Sequence, residues 1–544
     1  MPSFSPGGCE TVLHSVTSKE TTRLPVNLFM QIFKEEVSSA LRPTLLKFSS
    51  HTTAATEEDT LLDSTSENSS AGPQMVESVN SESWSEINEH DVDNTLSSPP
   101  LCEIIQRSVV ILEKHIVNVM NWREKKITRL SAVTGTAHGG ISDTHKNGDV
   151  RTTSSEGGRT DNISFNPQQR KELVDYVTTI ASMYKHVLYH NFEHASHVLA
   201  SSDSLISMLQ MNHKAVSAVG TESGSDESSV AESHHLLTFG ISGSPMTHLS
   251  LILSALVHDV EHQGVGNKQL IEENDLLAIR YNGKSVAENN SLDVSLDILH
   301  KECYSNLRKC MFGDKDTASV EVKNEFDHDE KLFRNIMLNV IQATDISSQD
   351  RLEMNKAKWK RAFQDSSDSL SNCCCQTKAI RRGSLPPTFK PRANSQPRRP
   401  SLDLDNGPRP CPACNECLIH INYLRASSVL EQLIQAADVA HSMQSWPIFI
   451  KWNTKLYDEL WAAKLAGRGA DVSKVWFKGQ IGFFDSYIMP LAKRLEECGV
   501  FGDRGPLFME NAKENRTRWL QEGEELCNEM HRRVLRMQGD ISQS

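Results

Sequence analysis

Apolar residues recur at helical spacing along most of this chain, and this periodicity sets the strongest limit on its fold. The spacing is clear in LCEIIQRSVVILEKHIVNVMNW, residues 101–122, and it returns in residues 166–209, 247–363 and 418–537. The period-two alternation that marks a half-buried strand is almost absent. The sequence therefore predicts an all-α fold of long helices joined by loops.

Polar stretches precede and interrupt the helical pattern. Residues 52–100 hold eleven Asp or Glu and no Lys or Arg, so they cannot bury enough apolar surface to offset the entropy lost on ordering. Polar stretches near 133–163, 212–236 and 364–410 predict flexible loop inserts. The expected organisation is a disordered acidic and Ser-rich region at 1–100, one compact multi-helix domain at 101–536 and a tail at 537–544.

The overall charge and the cysteine pattern exclude several classes of protein. The formal net charge is -13, from 57 basic and 70 acidic residues, which argues against a general nucleic-acid binder. The twelve cysteines are not spaced as a secreted disulfide framework, and MPSFSPGGCE lacks the features of a secretory signal. No apolar run approaches the ~18 to 20 residues that span a bilayer. We expect a cytoplasmic chain that does not cross a membrane.

Two histidine-rich motifs are candidates for metal binding. His190 and His194 are four residues apart in YHNFEHASHV, and on a helix their imidazoles would share one face. His258, Asp259 and His262 follow an apolar stretch in HDVEHQG, at the expected end of a helix. Imidazole and carboxylate suit Zn²⁺ and harder divalent ions, and the lack of nearby thiols argues against a structural zinc site.

Two carboxylates lie inside apolar helical segments. Asp345 is in VIQATDI and Asp438 is in LIQAADVAH. A buried carboxylate is costly unless it is paired or bound to a metal ion. Taken singly, each is open to both interpretations, a salt bridge or a metal ligand.

Five motifs in this order resemble the catalytic domain of class I 3′,5′-cyclic-nucleotide phosphodiesterases, over roughly residues 101–536 outside the inserts. The family's general pattern is an all-helical catalytic domain with an HD-type metal site. The matching segments are His190, Asn191, His194 and Ala195 for HNxxHA, HDVEHQGVGN at 258–267 for HDxxHxGxxN, ATD at 343–345, AD at 437–438, and QIGFFDSYIMPL at 480–491 for QxGFxDxxxxPL.

The resemblance implies a site with two metal ions. By the family pattern His194, His258, Asp259 and Asp438 hold a tightly bound Zn²⁺, and Asp259 bridges to a second ion, Mg²⁺ or Mn²⁺, held mostly through water. Such a pair of ions activates a water molecule that attacks the phosphorus of cAMP or cGMP. The expected product is the 5′-monophosphate.

The resemblance also assigns a proton donor and residues that contact the nucleotide. His190 is the expected general acid for the ribose 3′ oxygen, and we predict that Glu288 in VAENN is the carboxylate that keeps it protonated. His262 and Asp345 are expected to orient the metal ligands and the attacking water. Gln480 would pair with the purine edge and Phe483 would stack on it. The remaining expected nucleotide contacts come from Asn191 and from four residues already named, His190, His194, Asp259 and Asp438.

The chain departs from the family pattern at several positions. His441 stands where Asn is usual after the last metal-binding Asp, near the purine, so no base preference carries over. Asn290 and Ser291 replace a common pair of histidines, and Gln349 replaces another. The segment between Trp461 and Gln480 is shorter than usual.

The basic insert predicts a regulatory partner. RRGS at 381–384 and RRPS at 398–401 match the pattern read by cAMP-dependent kinase, so Ser384 and Ser401 are candidate phosphorylation sites. Cys411, Cys414 and Cys417 form CxxCxxC without a further ligand at the usual spacing, and we expect reduced thiols in a loop.

Two other functions are open. Another HD-type phosphohydrolase would use the same ligands on a different phosphoester, but Gln480 and Phe483 argue against it. A catalytically weak or dead cyclic-nucleotide-binding protein would have no need of His190, because binding alone does not require a proton donor. Hydrolysis of cAMP and cGMP would distinguish these alternatives.

Overall fold

A computed structural model describes residues 99–134, 163–219, 237–364 and 412–541. All the regular structure within these ranges is helical, with no strand, so the predicted all-α fold is confirmed. The N-terminal region, Ser384, Ser401 and Cys411 lie outside the described residues. None of the helices described is both long enough and apolar enough to cross a membrane.

The first part of the domain surrounds one buried helix. Its helices are α1 (Leu101–Thr134), α2 (Pro167–Met183), α3 (Phe192–Val219), α4 (Pro245–Val257), α5 (Asn267–Glu272), α6 (Leu276–Arg280), α7 (Val286–Leu299), α8 (Ser305–Phe312), α9 (Val320–Ala343) and α10 (Gln349–Trp359). Every residue of α4 after Pro245 is buried, which agrees with its apolar sequence on all faces. Helices α1, α3 and α9 pack against it.

The second part of the domain packs against this core through α11 (Pro412–Asp438). It continues with α12 (Trp446–Leu465), α13 (Trp476–Phe483), α14 (Met489–Glu497) and α15 (Pro506–Ile541). A π-helical turn at Phe484–Ile488 joins α13 to α14, and α15 packs along α14. The core is continuous across both parts, since Leu256 of α4 and Leu433 of α11 belong to one cluster of buried side chains.

Local signals explain where some helices begin. Asn166 caps α2: its Oδ1 accepts from the backbone N–H of Gln169 at 2.9 Å, and Gln169 Oε1 accepts from the N–H of Asn166 at 2.8 Å. Pro167 occupies the first helical position, where its missing N–H costs nothing.

Several helices extend beyond the predicted limits, and α15 continues to Ile541 within the predicted tail. Helix α1 continues to Thr134, and α3 continues to Val219, so the prediction of a loop is wrong for residues 212–219. Helix α11 begins at Pro412, so Cys414 and Cys417 lie on helical backbone rather than in the predicted loop. Composition alone did not predict these ends, because polar residues also occur in helices.

Candidate active site

Three segments that are far apart in the sequence bring the predicted metal ligands to one point. His194 lies in the first turn of α3, His258 directly follows α4, and Asp438 ends α11. Asp438 Oδ1 lies 3.0 Å from His194 Nε2 and 3.5 Å from His258 Nε2. Asp259 Oδ2 lies 3.0 Å from His258 Nε2 and 3.7 Å from His194 Nε2. Two imidazoles and two carboxylates therefore converge in the domain interior.

The donor atoms of this cluster fit a divalent cation. Those of His194, His258 and Asp438 all lie within 4.8 Å of one another, and the two histidines are 0% and 1% exposed. His258 Nδ1 donates to the carbonyl oxygen of Ala255 at 3.0 Å, which turns Nε2 toward the carboxylates. That Nε2 is buried and has no hydrogen bond of good geometry among the described residues. Mixed nitrogen and oxygen donors in this arrangement suit Zn²⁺ or a similar ion.

The charges in the cluster compensate one another. Burial would raise the pKa of Asp259, but the neighbouring His258 holds that pKa well below its usual value. The pKa of Asp438 is also lowered, because contacts with His194 and His258 outweigh burial. The two carboxylates in turn raise the pKa of His258 well above its ordinary value, against the effect of burial. A cation bound to the same atoms would replace the proton of His258, as metal binding to imidazole generally does.

His190 is paired with Glu459, a residue that no sequence motif had indicated. His190 Nδ1 lies 2.5 Å from Glu459 Oε1, while Glu459 Oε2 accepts the backbone N–H groups of Tyr189 at 2.7 Å and His190 at 3.0 Å. Burial would lower the pKa of His190, but the charge of Glu459 raises it to about 9. The same pairing outweighs burial in Glu459 and lowers its pKa to about 2. The imidazolium and the carboxylate are therefore both charged at neutral pH.

The prediction that Glu288 is the carboxylate next to His190 is wrong. Glu288 accepts from Asn267 Nδ2 at 2.9 Å and has no contact with His190. Burial, together with the nearby Asp345, raises the pKa of Glu288 to about 8, so this carboxyl group is mostly protonated at neutral pH. A neutral carboxyl could not stabilise an imidazolium.

His190 also lies outside the helix that carries His194, contrary to the simple i, i+4 expectation. Helix α3 begins at Phe192, and Asn191 Oδ1 accepts from the N–H groups of Glu193 at 3.0 Å and His194 at 3.2 Å. The side-chain nitrogen of Asn191 donates to the carbonyl of Val187 at 2.9 Å. Asn191 thus shapes the turn that presents His190, and it does not line the cavity described below.

His262 and Asp345 lie where they can orient other groups. The ring centroids of His262 and His190 are 3.9 Å apart, and burial followed by the charge of His190 lowers the pKa of His262 to about 4. Asp345 Oδ2 accepts from Ser285 at 2.8 Å, and its Oδ1 accepts from Ser347 at 2.9 Å. Their roles toward a metal ion or water remain predictions.

A cavity of about 390 Å³ opens beside the metal-ligand cluster. His190 and Asp438 line it together with Gln480 and Phe483, which both lie on α13. The volume is in the range of ~300 to 1,000 Å³ typical of small-molecule sites. The predicted proton donor and the predicted base-contacting residues therefore share one cavity.

The residues that depart from the family pattern have identifiable contacts. Asn290 Nδ2 donates to Glu261 Oε2 at 3.0 Å, and the hydroxyl of Ser291 donates to the backbone carbonyl of His258. Ser291 therefore helps to fix a predicted metal ligand. His441 is buried and lines the cavity, and burial lowers its pKa to about 3, so its imidazole is neutral.

The fold and this site define an all-helical protein with a histidine–aspartate cluster that fits divalent metal ions. The chain belongs to the 3′5′-cyclic nucleotide phosphodiesterase family, whose family model matches residues 189–500.

Individual relatives are distant. A probable 3′,5′-cyclic-AMP phosphodiesterase pde-4 of Caenorhabditis elegans is 24% identical over 358 residues, which cover 64% of this chain and 39% of the relative. A cGMP-specific 3′,5′-cGMP phosphodiesterase 3 of Dictyostelium discoideum is 25% identical over 196 residues, which cover 36% of this chain and 32% of the relative. The chain thus spans about two fifths or less of the length of these relatives. The crystal structure of the phosphodiesterase domain of Salpingoeca rosetta rhodopsin phosphodiesterase is similar with a TM-score of 0.39 and 18% identity, covering 67% of this chain and 84% of that one.

Proposed function

We propose that this chain hydrolyses 3′,5′-cyclic nucleotides to 5′-monophosphates. The observation that carries the proposal is the meeting of two groups at one cavity: the His194, His258, Asp259 and Asp438 cluster and the His190–Glu459 pair. Membership of the family supports the reaction class. Relatives named for cAMP and for cGMP leave both nucleotides as candidate substrates.

The four clustered residues would hold the tightly bound ion, Zn²⁺ by donor preference, with Asp259 also reaching a second ion, Mg²⁺ or Mn²⁺. Bound divalent ions supply activation of a water molecule and neutralisation of phosphate charge. The chain's own contribution is to fix these donors on three buried segments, so that the site needs little rearrangement on binding.

His190 would donate a proton to the departing ribose 3′ oxygen. Its Nδ1 is held by Glu459, so Nε2 is the nitrogen left to face the cavity that His190 lines. A protonated imidazole is the form that this step requires, and the charge of Glu459 favours it. Gln480 would pair with the purine edge, and Phe483 would lie against its face.

Hydrolysis of cAMP and cGMP by the purified chain, with and without a chelator, tests this proposal. We expect activity that EDTA abolishes and that Zn²⁺ with Mg²⁺ restores. His190→Ala should lower kcat by about 10² to 10⁴ with the metal content unchanged, because only the proton donor is lost. Asp438→Ala should lower both activity and metal content.

Glu522→Gln, on the exposed side of α15, is the matched control and should behave as the parent protein. Full hydrolysis by both His190→Ala and Asp438→Ala would contradict the assignment. Binding of cyclic nucleotide by the parent protein without any turnover would favour a sequestering protein instead.

A further inference from the structure

One buried polar residue of the cavity wall is not accounted for by the proposed reaction. Asn453 of α12 is 2% exposed and lines the cavity together with Gln480 and Phe483. None of the sequence motifs includes it. Buried amides are normally hydrogen-bonded through both their oxygen and their nitrogen, so the partners of Asn453 indicate what the cavity can bind.

Trp476 fixes the orientation of the Asn453 amide. The indole Nε1 of Trp476 lies 3.1 Å from Asn453 Oδ1 in a buried hydrogen bond. An indole N–H can only donate, so the atom facing it must be the amide oxygen. The amide nitrogen, Nδ2, is therefore the group that Asn453 has available for the cavity, and it has no hydrogen bond to the part of the chain described here.

The other polar side chains that would meet a base are not fixed in this way. The amide of Gln480 has no hydrogen bond among the described residues, so it can rotate to present either its donor or its acceptor. His441 is neutral and can carry its proton on either ring nitrogen. Unlike the amide of Gln480 and the imidazole of His441, the amide of Asn453 has its orientation set by a protein partner.

A fixed donor placed opposite position 6 of a purine distinguishes guanine from adenine. Guanine has a carbonyl oxygen there, which accepts a hydrogen bond, whereas adenine has an amino group, which cannot accept one from an amide N–H. A donor that faces an amino group leaves both groups unpaired in a buried site, which is unfavourable. We propose that Asn453, held by Trp476, donates to position 6 of the purine base and makes the site favour cGMP over cAMP.

This inference rests on the proposed hydrolysis of cyclic nucleotides and is tested by the ratio of kcat/KM for cGMP to that for cAMP. The parent protein should favour cGMP. Asn453→Ala should reduce the ratio by about threefold to tenfold, as expected for the loss of one hydrogen bond. Asn453→Asp, which presents an acceptor in place of the donor, should reduce it further.

Trp476→Phe tests the orientation of the Asn453 amide without removing the amide itself. This variant keeps an aromatic ring but removes the indole N–H, so the Asn453 amide can rotate and the ratio should move toward unity. The matched controls are Trp446→Phe, at the start of the same helix as Asn453 but outside the cavity, and Asn528→Asp on the exposed face of α15. Both controls should keep the parent ratio, and thermal unfolding should show that all the variants are folded.

The outcomes separate this inference from the proposed function. A parent protein that favours cAMP, or ratios that stay within about twofold of the parent in both Asn453 variants, would overturn the inference and leave the hydrolase intact. If neither nucleotide is hydrolysed, the proposed function fails. Equilibrium binding of cGMP and cAMP to the same proteins then shows whether Asn453 sets a preference for cGMP. If neither nucleotide binds, both proposals fail.

Discussion

Single residues of the candidate site are tuned by one close partner each. Glu459 raises the pKa of His190, burial and the nearby Asp345 raise the pKa of Glu288, and Trp476 sets the orientation of the Asn453 amide. In each case burial disfavours a charged or unpaired side chain, and the charge or hydrogen bond of the partner adds to this effect or opposes it. The strongest effect is expected where a charge is maintained against burial, which is at His190.

Glu459→Gln should move the alkaline limb of the kcat profile to lower pH. The proton donor is active below its pKa and inactive above it, and the charge of Glu459 raises the pKa of His190 to about 9. A neutral amide keeps a hydrogen bond but removes that charge, so the loss of activity should occur near or below pH ~6.5, the ordinary histidine value. The measurement is kcat from pH 5 to 10.

Asp458→Asn is the control for this profile, because Asp458 is the adjacent acid on α12 and pairs with Arg533 instead of His190. It should leave the alkaline limb in place. An unshifted limb in Glu459→Gln would mean that another group sets the pH dependence.

At the scale of elements, the loop between α12 and α13 is joined by hydrogen bonds to the segment that follows the predicted metal ligands His258 and Asp259. Arg468 makes two contacts with Glu273, at 2.9 and 2.7 Å, and donates to Gln263 Oε1 at 2.9 Å. Gln263 is the neighbour of His262, and the loop leads to Val472 and Trp476 in the cavity wall. The contacts of Arg468 with Glu273 and Gln263, called the ionic clamp below, therefore hold this loop in place.

Arg468→Ala should raise KM for the cyclic nucleotide about threefold or more while kcat changes little, since the clamp holds the cavity wall and touches no reacting atom. The fold should be almost unaffected, because pairs that are this exposed contribute little to stability. Steady-state kinetics and thermal unfolding measure the two effects.

The double variant Arg468→Glu with Glu273→Arg should bring KM part of the way back to the parent value. Arg532→Ala removes an exposed ion pair with Glu525 on α15 and should leave KM unchanged. Equal values of KM in the parent protein and in Arg468→Ala would show that the clamp does not contribute to nucleotide binding.

For the whole molecule, the metal-ligand cluster joins the two parts of the domain. His194 and His258 come from the first part and Asp438 from the second, so an ion bound to all three links them across the core. A ligand that binds only the folded state stabilises it in proportion to the logarithm of its concentration over Kd. Metal binding and folding should therefore be coupled.

Removal of divalent ions with EDTA should lower the Tm of the full chain by about 3 °C or more, and addition of Zn²⁺ should restore it. Asp438→Ala should reduce or abolish this response, because the link between the two parts is lost. Differential scanning calorimetry with matched buffers is the measurement. A Tm that is independent of chelator in the parent protein would contradict a structural contribution from the ion.

The sequence predicted the all-α fold and the convergence of His194, His258, Asp259 and Asp438, because ordered motifs constrain which segments must meet. It did not predict Glu459, since KLYDEL offers two adjacent acids and only the orientation of α12 decides which one faces His190. The Glu288 prediction failed because Glu288 accepts from Asn267, whereas the carboxylate next to His190 is Glu459. Helix ends in polar segments, such as 212–219, were missed because polar residues show no apolar period.

The burial of α4 on every side has a consequence for how such a protein can diversify. His258 and Asp259 are attached to the most enclosed helix of the described domain, so almost any change there disturbs the surrounding packing. The loop between α12 and α13 is more exposed and tolerates exchange of side chains more readily. New ligand preferences should thus arise more readily by substitution in that loop than at the end of α4.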